Sequence, residues 1–314
     1  MSVLSALLSH TPLRGMLDPE PIVVAEIEAA VDALRARVTA FDPEIVFLFA
    51  PDHFNGFFYD LMPQFCIGVA AEALGDFGSL SGPVNVATVE AEACVRSVLA
   101  AEVDVAISYR MQIDHGFTEP LKALFGSLTS PPIVPIFINS VAPPFASCKR
   151  ARLLGEAVGK YAATLDKRVL FVGSGGLSHE PPVPQIKGAD PEIVRRLIDG
   201  RNPDEAVTTA RLTRLMAAAR NLAAADPAVK PLNPEWDRRF IALATQGDAQ
   251  VFDQFKNDEI NREAGASAHE VRTWIAALAA TGAGERYEFH SHYYRPVPEW
   301  IAGFAIASAN RLAA

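Results

Sequence analysis

The chain has 314 residues, 50% hydrophobic and 21% charged, which excludes a mainly disordered chain because enough apolar surface is available to offset the ordering entropy. A net charge of −9 excludes non-specific nucleic-acid binding through clustered Lys and Arg, and an anionic substrate would have to be met by local arginines against the global field. Three scattered cysteines, Cys66, Cys94 and Cys148, exclude a disulfide framework and a Cys-rich zinc site, and they read as buried thiols in a reducing, cytoplasmic setting. No apolar stretch reaches the roughly 20 residues of a membrane span. The start, MSVLSALLSHTPLRG, has no basic residue before its apolar run and reads as a first strand rather than a signal peptide.

In chain order, Val3–Leu8 is a short apolar strand. From Ile22 to Phe41 the apolar residues Val23, Ile27, Ala30, Leu34, Val38 and Phe41 step by three or four, which predicts a helix stopped by Pro43. Ile45–Ala50 (IVFLFA) is continuously apolar, as expected of a strand covered on both faces. A helix is expected over 89–101, a strand over 103–108 and a short helix over 119–128. Ile133–Ile138 reads as a strand that Pro135 would place at an edge or a bulge. A helix over 150–165 leads to the strand Arg168–Val172, closed by Gly173-Ser174-Gly175-Gly176.

After about residue 190 the pattern turns helical, with candidates at 191–199, 204–224, 236–245, 249–257 and 267–281. The aromatic tail 287–306 is expected to return as a strand and a final helix. The expected fold is α/β, a mainly parallel or mixed central sheet flanked by helices, in a single domain over 1–314 with a helical C-terminal extension at about 190–314.

Four of the seven histidines share one context. His10 follows the first strand, His53 follows IVFLFA, His115 lies a few residues beyond 103–108, and His179 follows RVLFV and its glycine turn. Each sits just past the C-terminal end of a predicted strand, the edge where open α/β sheets bind ligands. Any one of them is most simply a loop histidine; four in one topological position point to a shared site. Imidazole serves there as metal ligand or as general acid–base group. The HExxH zinc signature fails, since Thr273 stands four residues after His269. A two-His-one-carboxylate face remains, suited to non-haem Fe(II).

Asp52 and Asp114 each precede a candidate histidine and fit local turn or imidazole-orienting roles. Glu270 borders the apolar stripe of Val271, Trp274, Ile275 and Leu278, while His269 points nearly opposite. The GSGG turn fits no phosphate loop and reads as a tight turn bringing the backbone close to a ligand. Pro181-Pro182-Val183-Pro184 reads as a stiff loop holding His179, and His290 and His292 as part of a surface or lid segment.

The segments SHTP, FAPDHFNGFFYD, DHGF, VGSGGLSHEPP, the helix carrying His269-Glu270 and the tail YYRPVPEWIAGF, in that order over essentially the whole chain, resemble the class III extradiol ring-cleavage dioxygenases, the protocatechuate 4,5-dioxygenase superfamily. The resemblance implies a mononuclear Fe(II) enzyme with ligands at His10, His53 and Glu270 and an acid–base pair at His115 and His179. It also implies a small catechol substrate opened with O₂, bacterial catabolism of phenylpropanoid compounds and a homo-oligomer; the charge and the lack of a spanning stretch already argue against a nucleic-acid or membrane partner. A carboxylated substrate tail would need a cation, for which Arg14 and Arg295 are candidates. Competing readings are a metal-dependent hydrolase, in which the same ligands activate water, and a non-enzymatic binding protein on the same scaffold.

Overall fold

A computed structural model describes residues 2–312. In chain order they form β1 (Val3–Leu8), α1 (Pro21–Phe41), β2 (Ile45–Ala50), β3 (Phe65–Gly68), β4 (Ala71–Leu74), β5 (Ser81–Pro83), α2 (Thr88–Ala100), β6 (Ala106–Ser108), β7 (Met111–Ile113), α3 (His115–Phe125), β8 (Ile133–Ile138), α4 (Cys148–Ala162) and β9 (Val169–Ser174). There follow α5 (Pro191–Asp199), α6 (Glu205–Ala223), α7 (Pro234–Ala244), α8 (Asn257–Glu263), α9 (Val271–Gly282), β10 (Tyr287–Val297) and β11 (Ala302–Arg311).

The main sheet has the order β10-β11-β1-β9-β2-β8-β3-β6. Its centre, β1-β9-β2-β8, is parallel, and β11 and β3 join it antiparallel on either side. The four central strands are buried along their whole length, which explains their unbroken apolar sequences. Alternate residues face two cores: Phe47, Phe49 and Phe171 pack toward α4 and α9, whereas Leu48, Leu170 and Val172 pack toward α1 and α3. The mixed sheet with helices on both faces agrees with the expected fold class.

Helix α9 is buried on every side, and apart from Arg272 its residues are apolar or small all round. It lies against α4 so closely that a Cβ at Gly155 or Gly159 would fall 2.1 or 2.2 Å from the carbonyl oxygen of Ala276 or Ala280. That contact fixes α9 over the sheet and, with it, the position of Glu270 at its N-terminus.

Three expectations need correction. The tail contains no final helix: β10 and β11 form an antiparallel pair, and β11 pairs with β1. Ala302–Ala309 is wholly buried, and a continuous apolar run of that length is as compatible with a covered strand as with a buried helix. Residues 249–254 form a 3₁₀ turn that ends before α8 begins, rather than one helix over 249–257. Finally, β8 is an interior strand despite Pro135. Ile133 exchanges hydrogen bonds with Asn85 and Ala87 on the side away from β2, so Pro135, two residues on, turns its nitrogen to that same side. There it falls between the Val86 bridge and the β3 ladder, which stops at Ile136, and the missing N–H interrupts no pairing.

Candidate active site

Strands β1, β9 and β2 are adjacent and parallel, so the residues following them leave the sheet at one edge. This brings His10, His179 and His53 together. His115 arrives differently, after β7 of a separate three-stranded sheet, as the first residue of α3. The ring centroids of His53 and His115 stack at 4.3 Å, and His10 stands 5.3 and 5.4 Å from the two. The ring nitrogens of His10, His53 and His115 offer ligand atoms within 4.8 Å of one another.

Glu270 enters from the 3₁₀ turn that leads into α9. Its Oε1 lies 3.2 Å from the Nε2 of both His53 and His179, and its Oε2 lies 3.9 Å from the Nε2 of His10. Burial opposes its ionisation, but His179, His53 and His10 outweigh it and hold the carboxyl well below the usual range. The GSGG turn supports this carboxylate: the Gly176 N–H donates to Oε2 at 3.0 Å, and Trp274 Nε1 donates to the Gly175 carbonyl at 3.1 Å. The close approach expected of that turn is thus made to Glu270.

The second nitrogen of each imidazole is also fixed. Ser174 Oγ donates its one proton to the Gly116 carbonyl at 2.6 Å, so His10 Nδ1–H donates to Ser174 Oγ at 2.9 Å and leaves its Nε2 lone pair toward Glu270. Burial keeps the His10 imidazole neutral, down to about 3, against the pull of Glu270. His53 Nδ1 donates to Asp114 Oδ2 at 2.9 Å. Burial disfavours its charge, yet Asp114 and then Glu270 raise it well above the ordinary value. His179 Nδ1 donates to the Leu177 carbonyl at 2.9 Å, and His115 Nδ1 pairs with Asp76 Oδ2.

The donors His10, His53 and Glu270 therefore present two imidazole nitrogens and a carboxylate to one buried point. Each imidazole has its tautomer set by a partner behind it, the arrangement of a metal-binding histidine. Two nitrogens and one oxygen on one face suit non-haem Fe(II). Asp52 is spent elsewhere: its oxygens accept from the backbone N–H groups of Asn55, Gly56 and Phe57, at 3.1, 2.8 and 3.1 Å. Asp114 orients His53 and caps α3 through the Gly116 N–H.

Residues 4–305 match the family described as the catalytic LigB subunit of aromatic ring-opening dioxygenase. The chain belongs to this family. It is 56% identical over 303 residues, 96% of each chain, to a 2,3-dihydroxyphenylpropionate/2,3-dihydroxicinnamic acid 1,2-dioxygenase of Burkholderia vietnamiensis. A relative of the same name from Paraburkholderia xenovorans is 56% identical over 313 residues, 100% of this chain and 99% of that one, and one from Rhodococcus jostii is 52% identical over 98% of both. An uncharacterized protein of Escherichia coli K12 shares the fold, with a TM-score of 0.55 at 13% identity over 98% of each chain.

The dioxygenase site opens into a cavity of about 400 Å³, within the range that holds a small aromatic ligand. The prolines of 181–184 line it, as do Phe54, Phe58, Trp300 and the inner faces of α5 and α6. Of the two arginines proposed for a substrate carboxylate, neither reaches it. Arg14 pairs with Glu28 and Arg295 with Glu26, each at 3.1 Å on the surface. His290 and His292 lie on β10, where His292 Nε2 hydrogen-bonds Ser308 Oγ at 2.7 Å, and neither lines the cavity. His269 is buried beneath Phe145 with Nε2 donating to Asn261 at 2.8 Å, apart from the four-histidine cluster.

Sequence reasoning missed Asp76, which holds His115 through both its backbone N–H and its Nδ1. It also missed Arg211, whose guanidinium donates to the His53 carbonyl at 2.9 Å and to Asn55 at 3.1 Å. Asp76 opens a three-residue 3₁₀ turn of no distinguishing sequence pattern. Arg211 had a faint signal: Val207, Arg211, Arg214 and Leu215 share one face of α6.

Proposed function

We propose that the chain opens the aromatic ring of 2,3-dihydroxyphenylpropionate and 2,3-dihydroxycinnamate with O₂, as an Fe(II)-dependent extradiol dioxygenase yielding 2-hydroxy-6-oxo-dienedioates in the catabolism of phenylpropanoid compounds. The observation that carries this reading is the convergence of His10, His53 and Glu270 on one point at the floor of a cavity sized for a catechol. Full-length identity above half to relatives bearing that name supports the substrate.

In this reading His10, His53 and Glu270 hold the metal, which when bound supplies open coordination positions for a chelating catechol and for O₂. Glu270 also offsets the metal's charge in a desolvated site. His115 and His179 remain for proton transfer. Both border the cavity, and each has Nδ1 engaged, by Asp76 and by the Leu177 carbonyl, so that Nε2 is the exchanging nitrogen. One of the pair takes the catechol proton and the other returns a proton as the ring opens. Phe54, Phe58 and the prolines give the cavity apolar walls.

Chain 1–314 acts as one catalytic unit in this proposal, since the helical segment after 190 supplies cavity walls that the sheet lacks. The three buried free thiols fit a cytoplasmic enzyme. Among the described residues no helix is long and apolar enough to cross a membrane. We also read it as a homo-oligomer, which is what the family resemblance implies.

The test is anaerobic loading with Fe(II), then O₂ uptake and appearance of a yellow ring-fission product with 3-substituted catechols. Stoichiometric O₂ consumption is expected with the catechols, and none with esters or amides. Hydrolysis of an ester or amide without O₂ uptake would establish the hydrolase instead. Intact metal binding without turnover would leave a binding protein.

A further inference from the structure

Four guanidiniums line the cavity, in a protein with nine more acidic than basic residues. Two carry their own counter-charges. Arg196 pairs with Glu192 at 3.0 Å, and Arg201 with Asp60 and Asp199 at 2.9 and 2.6 Å while also covering the Phe58 ring. The other two, Arg211 and Arg214, stand on the same face of α6. Arg211 is held by neutral oxygens, the His53 carbonyl and Asn55 Oδ1, and so serves to position the His53 loop. Arg214 is exposed, and no carboxylate among the described residues lies within ion-pair distance of it.

The placement is specific. Arg211 donates to the backbone of His53, a proposed metal ligand, and Arg214 lies three residues along, about one helical turn, where the side chain is exposed. A ring held at His10, His53 and Glu270 would place its side chain in the same cavity that Arg214 lines. Val207 and Leu215 flank the two arginines on the cavity face of α6. Two neighbouring cations repel each other, and an anion bound at Arg214 would relieve both.

We propose that Arg214 receives the side-chain carboxylate of the substrate and sets the preference for carboxylated over neutral 3-substituted catechols. The proposal rests on the catechol-cleaving reading given above. It moves the carboxylate contact from the surface residues Arg14 and Arg295 to the mouth of the cavity. A guanidinium suits the task because its planar fork can donate two parallel hydrogen bonds to one carboxylate.

The experiment compares the Fe(II)-loaded wild type with Arg214→Gln, Arg214→Lys, Arg14→Gln and Arg295→Gln. Each is assayed with 2,3-dihydroxyphenylpropionate and with neutral 3-propylcatechol, and each is titrated with both catechols under anaerobic conditions for Kd. In Arg214→Gln the ratio of kcat/KM for the carboxylated over the neutral catechol is expected to fall on the order of 10- to 100-fold, chiefly through KM, with a matching change in the Kd ratio. Arg214→Lys should recover part of that loss, and Arg14→Gln and Arg295→Gln should keep the wild-type ratio. An unchanged ratio in Arg214→Gln, or an equal fall in Arg14→Gln or Arg295→Gln, would overturn the proposal while leaving ring cleavage intact. A wild type that opens neither catechol would overturn the catechol reading and this proposal with it.

Discussion

A Cβ added to Gly175 would lie 2.7 Å from the Cβ of Glu270 and 3.0 Å from its carbonyl oxygen. The turn that ends β9 and the turn that begins α9 are thus in contact where residue 270 directs its carboxylate inward. Because this neighbour is partly backbone, it cannot swing aside as a side-chain tip would. Gly175→Ala is therefore expected to destabilise the fold by about 1–3 kcal/mol. It should also displace Glu270 from the Gly176 N–H, so that the variant binds less iron than wild type at equal Fe(II). Urea unfolding and metal analysis check the two effects, and wild-type iron content in a stable variant would show the contact to be slack.

Glu270→Gln and Asp52→Asn test which carboxylate near the histidines holds the metal. Glu270 faces three imidazole nitrogens, whereas Asp52 faces three backbone N–H groups. Glu270→Gln should lose its iron, or bind it far more weakly, with the circular dichroism spectrum retained. Asp52→Asn should keep iron and lose stability by about 1–3 kcal/mol as one turn acceptor becomes a donor. The opposite pattern would transfer the ligand role to Asp52.

His115→Gln and His179→Gln test the division between ligand and proton-transfer histidines. If His10, His53 and Glu270 hold the metal, both variants should retain nearly full iron while turnover falls roughly 10²- to 10⁴-fold. His115 is the sharper case, because its ring nitrogen also lies within ligand distance of His10 and His53. Loss of iron in His115→Gln alone would indicate a three-histidine centre.

The positions of His10, His53 and His179 were legible in the sequence because they follow continuous apolar strands, and parallel strands must end on one side. His115 was grouped with them correctly, but it comes from the small sheet, whose strands of three and four residues carry too little pattern to read. Glu270 was legible only through its place beside the Trp274 stripe. Asp114 beside His53 was legible as an imidazole-orienting residue, whereas the partners of His10, His115 and His179, namely Ser174, Asp76 and the Leu177 carbonyl, lie at a strand end, in a 3₁₀ turn and in a loop. They are brought in by long-range folding, which periodicity does not encode. The tail misled for a related reason: Ala302–Ala309 is covered on both faces, so no alternation marks it as a strand.

Asp237 offers a measure of how firmly the His179 loop is anchored, through the pH dependence of stability. Its carboxylate accepts from the Ser178 N–H at 2.7 Å and from the Ser178 and Tyr294 hydroxyls at 2.8 Å, tying the residue before His179 to α7 and β10. Burial raises its pKa above the ordinary 3.8 in spite of these hydrogen bonds. Between 3.8 and the raised folded value, the native state holds a proton that the unfolded chain has released. Stability contributed by this group is thus full below the unfolded value, falls as pH rises through the window, and is level above it. Asp237→Asn cannot titrate. The stability of wild type relative to Asp237→Asn should therefore decline as pH rises from about 4 toward neutrality. Urea midpoints of the two metal-free proteins across that range check this. A difference that stays constant, or that grows in favour of wild type with rising pH, would mean that the hydrogen bonds outweigh burial and keep Asp237 ionised in the folded protein.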